Sequence, residues 1–254
     1  MIYRPLGHSG LQVSALTLGS MMFGEQTSTE DALRIIDKAW DQGINFIDTA
    51  DVYNVGRSEE IVGEAVARHR QDWIVASKVG FGPADGLPNR SGLSRKHIFN
   101  ALEATLTRMG MDYLDIYYLH REDHKVPLEE TVQAIGDLLR QGKIRYWGVS
   151  NFRGWRIAEV CHIAERVGVP KPVVSQPLYN IVNRQAEPEQ PPQPLHTGWA
   201  WCHSAHWPGV CSAASMHRVP CPMPAAARGA RTSASWRWSG ARSRWPSAGR
   251  SRLT

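Results

Sequence analysis

This 254-residue chain has only four cysteines, Cys161, Cys202, Cys211 and Cys221. Their spacing makes no CxxC pair and no Cys/His ligand set, which predicts free thiols and no metal. No apolar run approaches the roughly 20 residues needed to span a bilayer. The N-terminus, MIYRPLGHSG, lacks a charged-then-apolar export pattern. Together these absences point to a cytoplasmic protein with no membrane partner. A further absence is local. All 24 acidic residues lie at or before Glu189, where 21 basic residues leave a net charge of −3. Beyond that point stand eight arginines and no acid, a net +8 hidden inside the overall +5.

What is present, up to about residue 186, is an alternation of strand and helix signals. Tyr3 to Val13 reads as a hairpin turning at Gly7–Gly10, and Ala15–Gly19 as a first buried strand. Thr29–Trp40 spaces Ala32, Ile35, Ile36 and Ala39 as one helix face, with Thr27 or Ser28 as its cap. The same unit recurs. Strands are expected at 44–47, 74–78, 114–120, 144–150 and 173–177. Helices are expected at 58–67, capped by Ser58, at 94–109, capped by Ser94, at 127–141, and at 155–167, with an incipient one near Glu187. Six such alternations imply right-handed βαβ units and a parallel sheet. A doubly wound sheet and an eight-stranded barrel both fit. The loop after the first strand reads GSMMFGE, not GxGxxG, which disfavours a nucleotide-binding doubly wound sheet.

The polar residues favour the barrel. Asp48, Lys78, His120, Ser150 with Asn151, and Gln176 all fall at the carboxyl ends of successive strands, which in a barrel converge on one face. The stretch NFIDTADVYN, Asn45–Asn54, adds Tyr53 five positions after Asp48. Any one of these residues alone reads as a surface charge or a loop hydrogen bonder. Their joint occurrence, one per strand end, reads as a site. A phenol titrates near pH 10 when unperturbed, and an adjacent Lys78 ammonium is expected to lower that value. Asp48 would keep Lys78 charged, and His120 would share a substrate oxygen with Tyr53. Such a set protonates an oxygen as a carbonyl becomes an alkoxide. It contains no hydride source, so a nicotinamide cofactor is required. Ser150, Asn151 and Gln176 suit a nicotinamide carboxamide.

The sequence resembles the aldo-keto reductase family. The resemblance rests on RPLGHSGLQVS (4–14), LTLGSMMFG (16–24), FIDTADVYNVGRSEEIVGEA (46–65) and WIVASKVG (73–80). It continues through DYLDIYYLHRED (112–123), GKIRYWGVSNF (142–152) and SQPLYNIVNR (175–184). It implies a (β/α)8 barrel, of which residues 1–186 would supply about six βα units. It also implies a catalytic tetrad of Asp48, Tyr53, Lys78 and His120, with Tyr53 as proton donor to a small carbonyl substrate. Gly19, Ser20, Met21, Ser150, Asn151 and Gln176 would meet the cofactor, NADP by family habit, with NAD not excluded. A non-catalytic, NADPH-binding regulatory subunit of the same fold is the alternative that the resemblance carries. Neither substrate identity nor oligomeric state is encoded in these motifs.

From about residue 187 the texture changes. Ile, Phe, Tyr, Asn, Lys and Asp vanish, while Pro, Arg, Ser, Ala and six tryptophans dominate without periodicity. Arginine interleaved with tryptophan can bind single-stranded nucleic acid. A reading-frame error in a GC-rich gene explains the segment better, and no nucleic-acid partner is expected. His196–His217 reads HTGWAWCHSAHWPGVCSAASMH. One choice of codons for it, read one base earlier, gives AYGLGVVPLGPLARGVLSGKYA, very like the family's seventh strand and following loop. On that reading strands seven and eight are absent and two sheet edges are open. Residues 187–254 are then expected to form an irregular, poorly ordered tail, and the chain is expected to be unstable or inactive.

Overall fold

A short hairpin opens the chain, β1 (Tyr3–Pro5) pairing antiparallel with β2 (Gln12–Ser14). In the computed structural model the described residues are 1–83, 85–180, 182–188, 190, 200–203 and 213–217. After the hairpin come six strands: β3 (Leu16–Gly19), β4 (Phe46–Asp48), β5 (Ile74–Val79), β6 (Leu114–Leu119), β7 (Ile144–Ser150) and β8 (Val174–Gln176). Each pairs in parallel with the next. The helices between them are α1 (Thr29–Asp41), α2 (Arg57–Val66), α3 (Arg95–Met109), α4 (Leu128–Arg140) and α5 (Gly154–Arg166). The fold is therefore the α/β barrel that the polar strand ends favour over a doubly wound sheet.

Local chemistry sets the helix ends. Ser28 caps α1 by accepting from the Asp31 amide at 3.1 Å, and Ser94 caps α3 by accepting from the His97 amide at 3.3 Å. Gly110 ends α3 at φ +62°, a left-handed conformation that glycine adopts without strain. Ser58 is a correction. The N-cap of α2 is Gly56, and Ser58 is fully buried, donating to the Ser20 carbonyl at 2.9 Å. Near Glu187, residues 185–188 form a turn rather than a helix.

The expectation of two open edges is also corrected. Two short strands close the sheet into the order β10-β3-β4-β5-β6-β7-β8-β9. β9 (Ala200–His203) runs parallel to β8, while β10 (Ala213–His217) is antiparallel to both β9 and β3. The physical reason is the demand of unpaired edges: β3 and β8 would otherwise leave rows of N–H and C=O groups without partners. The anticipated irregularity of the rest of the tail falls outside the described residues. Cys161 and Cys202 are buried free thiols, whereas Cys211 and Cys221 lie outside the described residues. Among the described residues no helix is long and apolar enough to cross a membrane.

Side-chain alternation separates two cores. Ile47, Val75, Val79, Tyr117, Leu119, Trp147 and Val149 face the helix layer. Phe46, Ile74, Ala76, Ile116, Tyr118, Val174 and Cys202 fill the barrel interior, joined by Leu6 and Val13 from the hairpin. Asn45 ties that hairpin to the foot of β4, accepting from the Ser14 amide at 2.7 Å. Interior packing is tight at Gly148, where an added Cβ would lie 2.7 Å from both the Tyr118 ring and the Val174 carbonyl oxygen. Gly148→Ala is predicted to lower stability by about 1–3 kcal/mol, the usual cost of overpacking. An unchanged urea midpoint would contradict this picture of the interior.

Candidate active site at the strand carboxyl ends

The site continues the interior rows of the barrel. Along each strand, the residue two positions beyond an interior residue faces the same way. Phe46 thus leads to Asp48, Ala76 to Lys78, Tyr118 to His120, Gly148 to Ser150 and Val174 to Gln176. All five polar members are buried, Lys78 completely. Strand register sets them side by side: Asp48 pairs with Ala76, Lys78 with Tyr118, and Ser150 with Gln176.

Lys78 is the junction. Its Nζ lies 2.5 Å from Asp48 Oδ2, 2.7 Å from the Thr49 carbonyl oxygen and 3.2 Å from the Tyr53 hydroxyl. Burial is the largest influence on this ammonium and disfavours its charge. Asp48 and Tyr53 nevertheless hold its pKa above the ordinary lysine value, so it stays protonated. For Tyr53 the balance runs the other way. Burial pushes its pKa above 10, and the opposing pull of Lys78 is not enough to reverse this. The expectation of a lowered tyrosine pKa is thus corrected: Lys78 favours the phenolate, but desolvation outweighs it, and the phenol keeps its proton at neutral pH. The His120 ring stands edge-on to Tyr53 at 5.9 Å and edge-on to Phe81 at 4.8 Å.

Tyr53 is delivered by an unusual loop. Asn54, Val55 and Gly56 are all left-handed, with φ of +48°, +56° and +87°. Asn54 holds the turn by donating to the Met21 and Phe23 carbonyls at 3.1 and 2.6 Å. The Ser20 hydroxyl donates to the Asp48 carbonyl at 3.0 Å and lies 2.7 Å from Ser58, which lies 2.9 Å from the Thr49 hydroxyl. Gly19, Ser20 and Met21, expected to meet a cofactor, thus also lash the β3 loop to the tetrad loop.

On the opposite side, Ser150 donates to the Gln176 carbonyl at 2.8 Å. Asn151, at φ +57°, donates to the His120 carbonyl at 3.2 Å and to Ser150 Oγ at 3.0 Å. Its Oδ1 accepts from the Leu178 amide at 3.1 Å. The ten anticipated site residues are therefore brought to one end of the barrel. Sequence reasoning missed Asn54 as the clamp, Phe81 as the wall behind His120, and the partial burial of Asp51, whose carboxyl is pushed up to about 7. The run of three polar side chains in DTAD held the only signal for Asp51. Among the described residues no group of three or more His, Cys, Asp or Glu could hold a metal ion.

Residues 15–191 match the model of the aldo/keto reductase family. The chain belongs to that family. A protein of Schizosaccharomyces pombe named as a voltage-gated potassium channel subunit beta is 42% identical over 187 residues, 72% of this chain and 54% of that protein. An Arabidopsis thaliana protein of like name is 41% identical over 188 residues, covering 72% and 57%. Aldo-keto reductase dtxS3 of Metarhizium robertsii is 36% identical over 217 residues, covering 74% and 59%. The chain therefore spans little more than half the length of these relatives.

Val55 is 97% exposed, so nothing packs against it to compensate for a left-handed β-branched residue. Val55→Gly is predicted to raise stability by about 1 kcal/mol, the left-handed penalty less the entropy of glycine. A lower melting temperature for that variant would show that the valine side chain itself holds the loop.

Proposed function

We propose that this chain carries the site of an NAD(P)H-dependent oxidoreductase that reduces a small aldehyde or ketone to an alcohol. The observation that carries the reading is the Lys78 junction, a buried ammonium bonded at once to a carboxylate and to a tyrosine hydroxyl. The residues present fit the nicotinamide end of such a cofactor. Asn151 is fixed by three hydrogen bonds, and an amide oxygen that accepts one bond retains a second lone pair. When bound, the reduced nicotinamide supplies the hydride. Tyr53, protonated at neutral pH, gives its proton to the carbonyl oxygen as charge develops there. Lys78 stabilises the tyrosinate left behind, and Asp48 keeps Lys78 charged and aimed. His120 narrows the mouth beside Tyr53 and orients the carbonyl. Solvent then returns the proton to Tyr53. NADP(H) is proposed ahead of NAD(H), with a cytoplasmic setting. Residues 1–186 are read as an incomplete reductase barrel and 187–254 as sequence out of the family frame.

A second reading is the non-catalytic, NADPH-binding regulatory subunit of the same fold, and it is favoured by the names of two relatives as voltage-gated potassium channel beta subunits. Kinetics separate the two. In this chain or a frame-corrected one, Tyr53→Phe is predicted to cut NADPH-dependent reduction of a generic aldehyde by roughly 10²–10⁴-fold. Lys78→Met removes the one group that pulls the tyrosine pKa down. It should lower the rate and move the alkaline limb of the pH profile further up, with the NADPH dissociation constant little changed. Unaltered rates in both variants would contradict the assigned roles. Absence of turnover with intact NADPH binding would favour the subunit reading.

A further inference from the structure

A cavity of 490 Å³ lies beside the tetrad loop, bounded by that loop, by the segment after β5 and by α3. Its walls are largely apolar, formed by Val52, Val55, Phe81, Pro83, Ala101 and Ala104. One carboxylate, Asp51, lines it, and its Oδ1 is buried with no hydrogen-bond partner among the described residues. We infer that this cavity is a binding site for a small organic cation, an ammonium group carried on an apolar body, with Asp51 as its counter-ion.

The charges around Asp51 support that chemistry. Arg108 of α3 also lines the cavity, but the fully buried Glu59 of α2 holds it, with Arg108 nitrogens 2.6 Å from Glu59 Oε2. Ser77 and Thr105 complete the Glu59 shell at 2.6 and 2.9 Å. Lys78 of β5 is committed to Asp48 and Tyr53. Tyr117 of β6 is neutral, its pKa pushed well above the ordinary value by burial, then by Asp51 and Glu59. His97, also on the cavity wall, bonds the Phe81 carbonyl oxygen at 3.2 Å, and burial holds its pKa below the ordinary value. Arg90 at the rim is paired with Asp85 at 2.6 Å. Glu59 and Arg108 cancel, so an ionised Asp51 leaves one uncompensated negative charge beside an apolar space. Burial first, then Glu59, raise its pKa to about 7, against the weaker opposing pulls of Arg108, the Val52 backbone N–H and Lys78. A cation supplies the missing charge, whereas a neutral or anionic occupant does not. The site is separate from the tetrad but adjoins it, because Val52 precedes Tyr53 and Phe81 packs on His120.

Calorimetric titration of the full chain with benzylamine and with its neutral isostere benzyl alcohol tests this. The amine is protonated throughout and binds the carboxylate, so affinity rises with pH through the Asp51 titration. With a pKa of about 7, binding at pH 5.5 should be roughly 30-fold weaker than at pH 8.5. At pH 8.5 benzyl alcohol should bind at least about tenfold more weakly than the amine. Asp51→Asn should erase both the pH dependence and the preference for the amine. Ala104→Trp, at an exposed position of α3, should fill the space and abolish binding while circular dichroism is unchanged. That variant and the wild-type comparison of the two probes decide the matter if Asp51→Asn does not fold. The inference is overturned by no benzylamine binding at millimolar concentration, by equal affinity for both probes, or by binding that survives Ala104→Trp.

Discussion

The structure turns on one buried charge. The Lys78 ammonium is wholly out of water, and an isolated ion in such a place costs several kcal/mol. Asp48, the Thr49 carbonyl and the Tyr53 hydroxyl replace its hydration shell. Each partner is supplied by a distinct structural device. Asp48 comes from the parallel register of β4 on β5, Thr49 from the turn directly after β4, and Tyr53 from the strained loop that follows. If the register slipped by one residue, Asp48 would face the helix layer and the ammonium would be left unpaired. The same fact explains how a site for proton transfer and a stable barrel interior can occupy adjacent layers of one structure.

The loop from Thr49 to Gly56 shows what holding Tyr53 requires. Two non-glycine residues in left-handed conformation are costly, and such strain persists only where the surroundings over-determine it. Here Asn54 is clamped to two carbonyls of the β3 loop, and Ser58 and Ser20 bind the flanking backbone. Ser58 is thus a brace and not a helix cap. On the helix side, the Glu59–Arg108 pair joins α2 to α3 beneath the same loop.

Much of this was readable from the sequence because it depends on local pattern. Helix caps such as Ser28 and Ser94 and the apolar strand runs are encoded within a few residues. So are the polar groups two positions beyond interior side chains, which is why Asp48, Lys78 and His120 converge, while Tyr53 reaches them only through the loop after β4. What was not readable depends on three-dimensional surroundings. Tyr53 looked activated because Lys78 is near, but the size of its desolvation is invisible in a string of letters. Asp51 carries no mark in the sequence beyond its place in DTAD, and only its partial burial beside Glu59 makes it distinctive. The pairing of 200–203 and 213–217 across the barrel edges carries no periodic signal, since strands of four and five residues in altered composition give none.

The central claim is that Lys78 and Asp48 are tolerated only as a pair. A double-mutant cycle on folding stability with Asp48→Asn, Lys78→Met and the combined variant tests it most directly. The account predicts that each single change costs about 3–5 kcal/mol by leaving a buried partner uncompensated. The double variant should be far less destabilised than the sum. Costs that add to within about 0.5 kcal/mol would mean that the two groups are energetically independent, and would contradict the account.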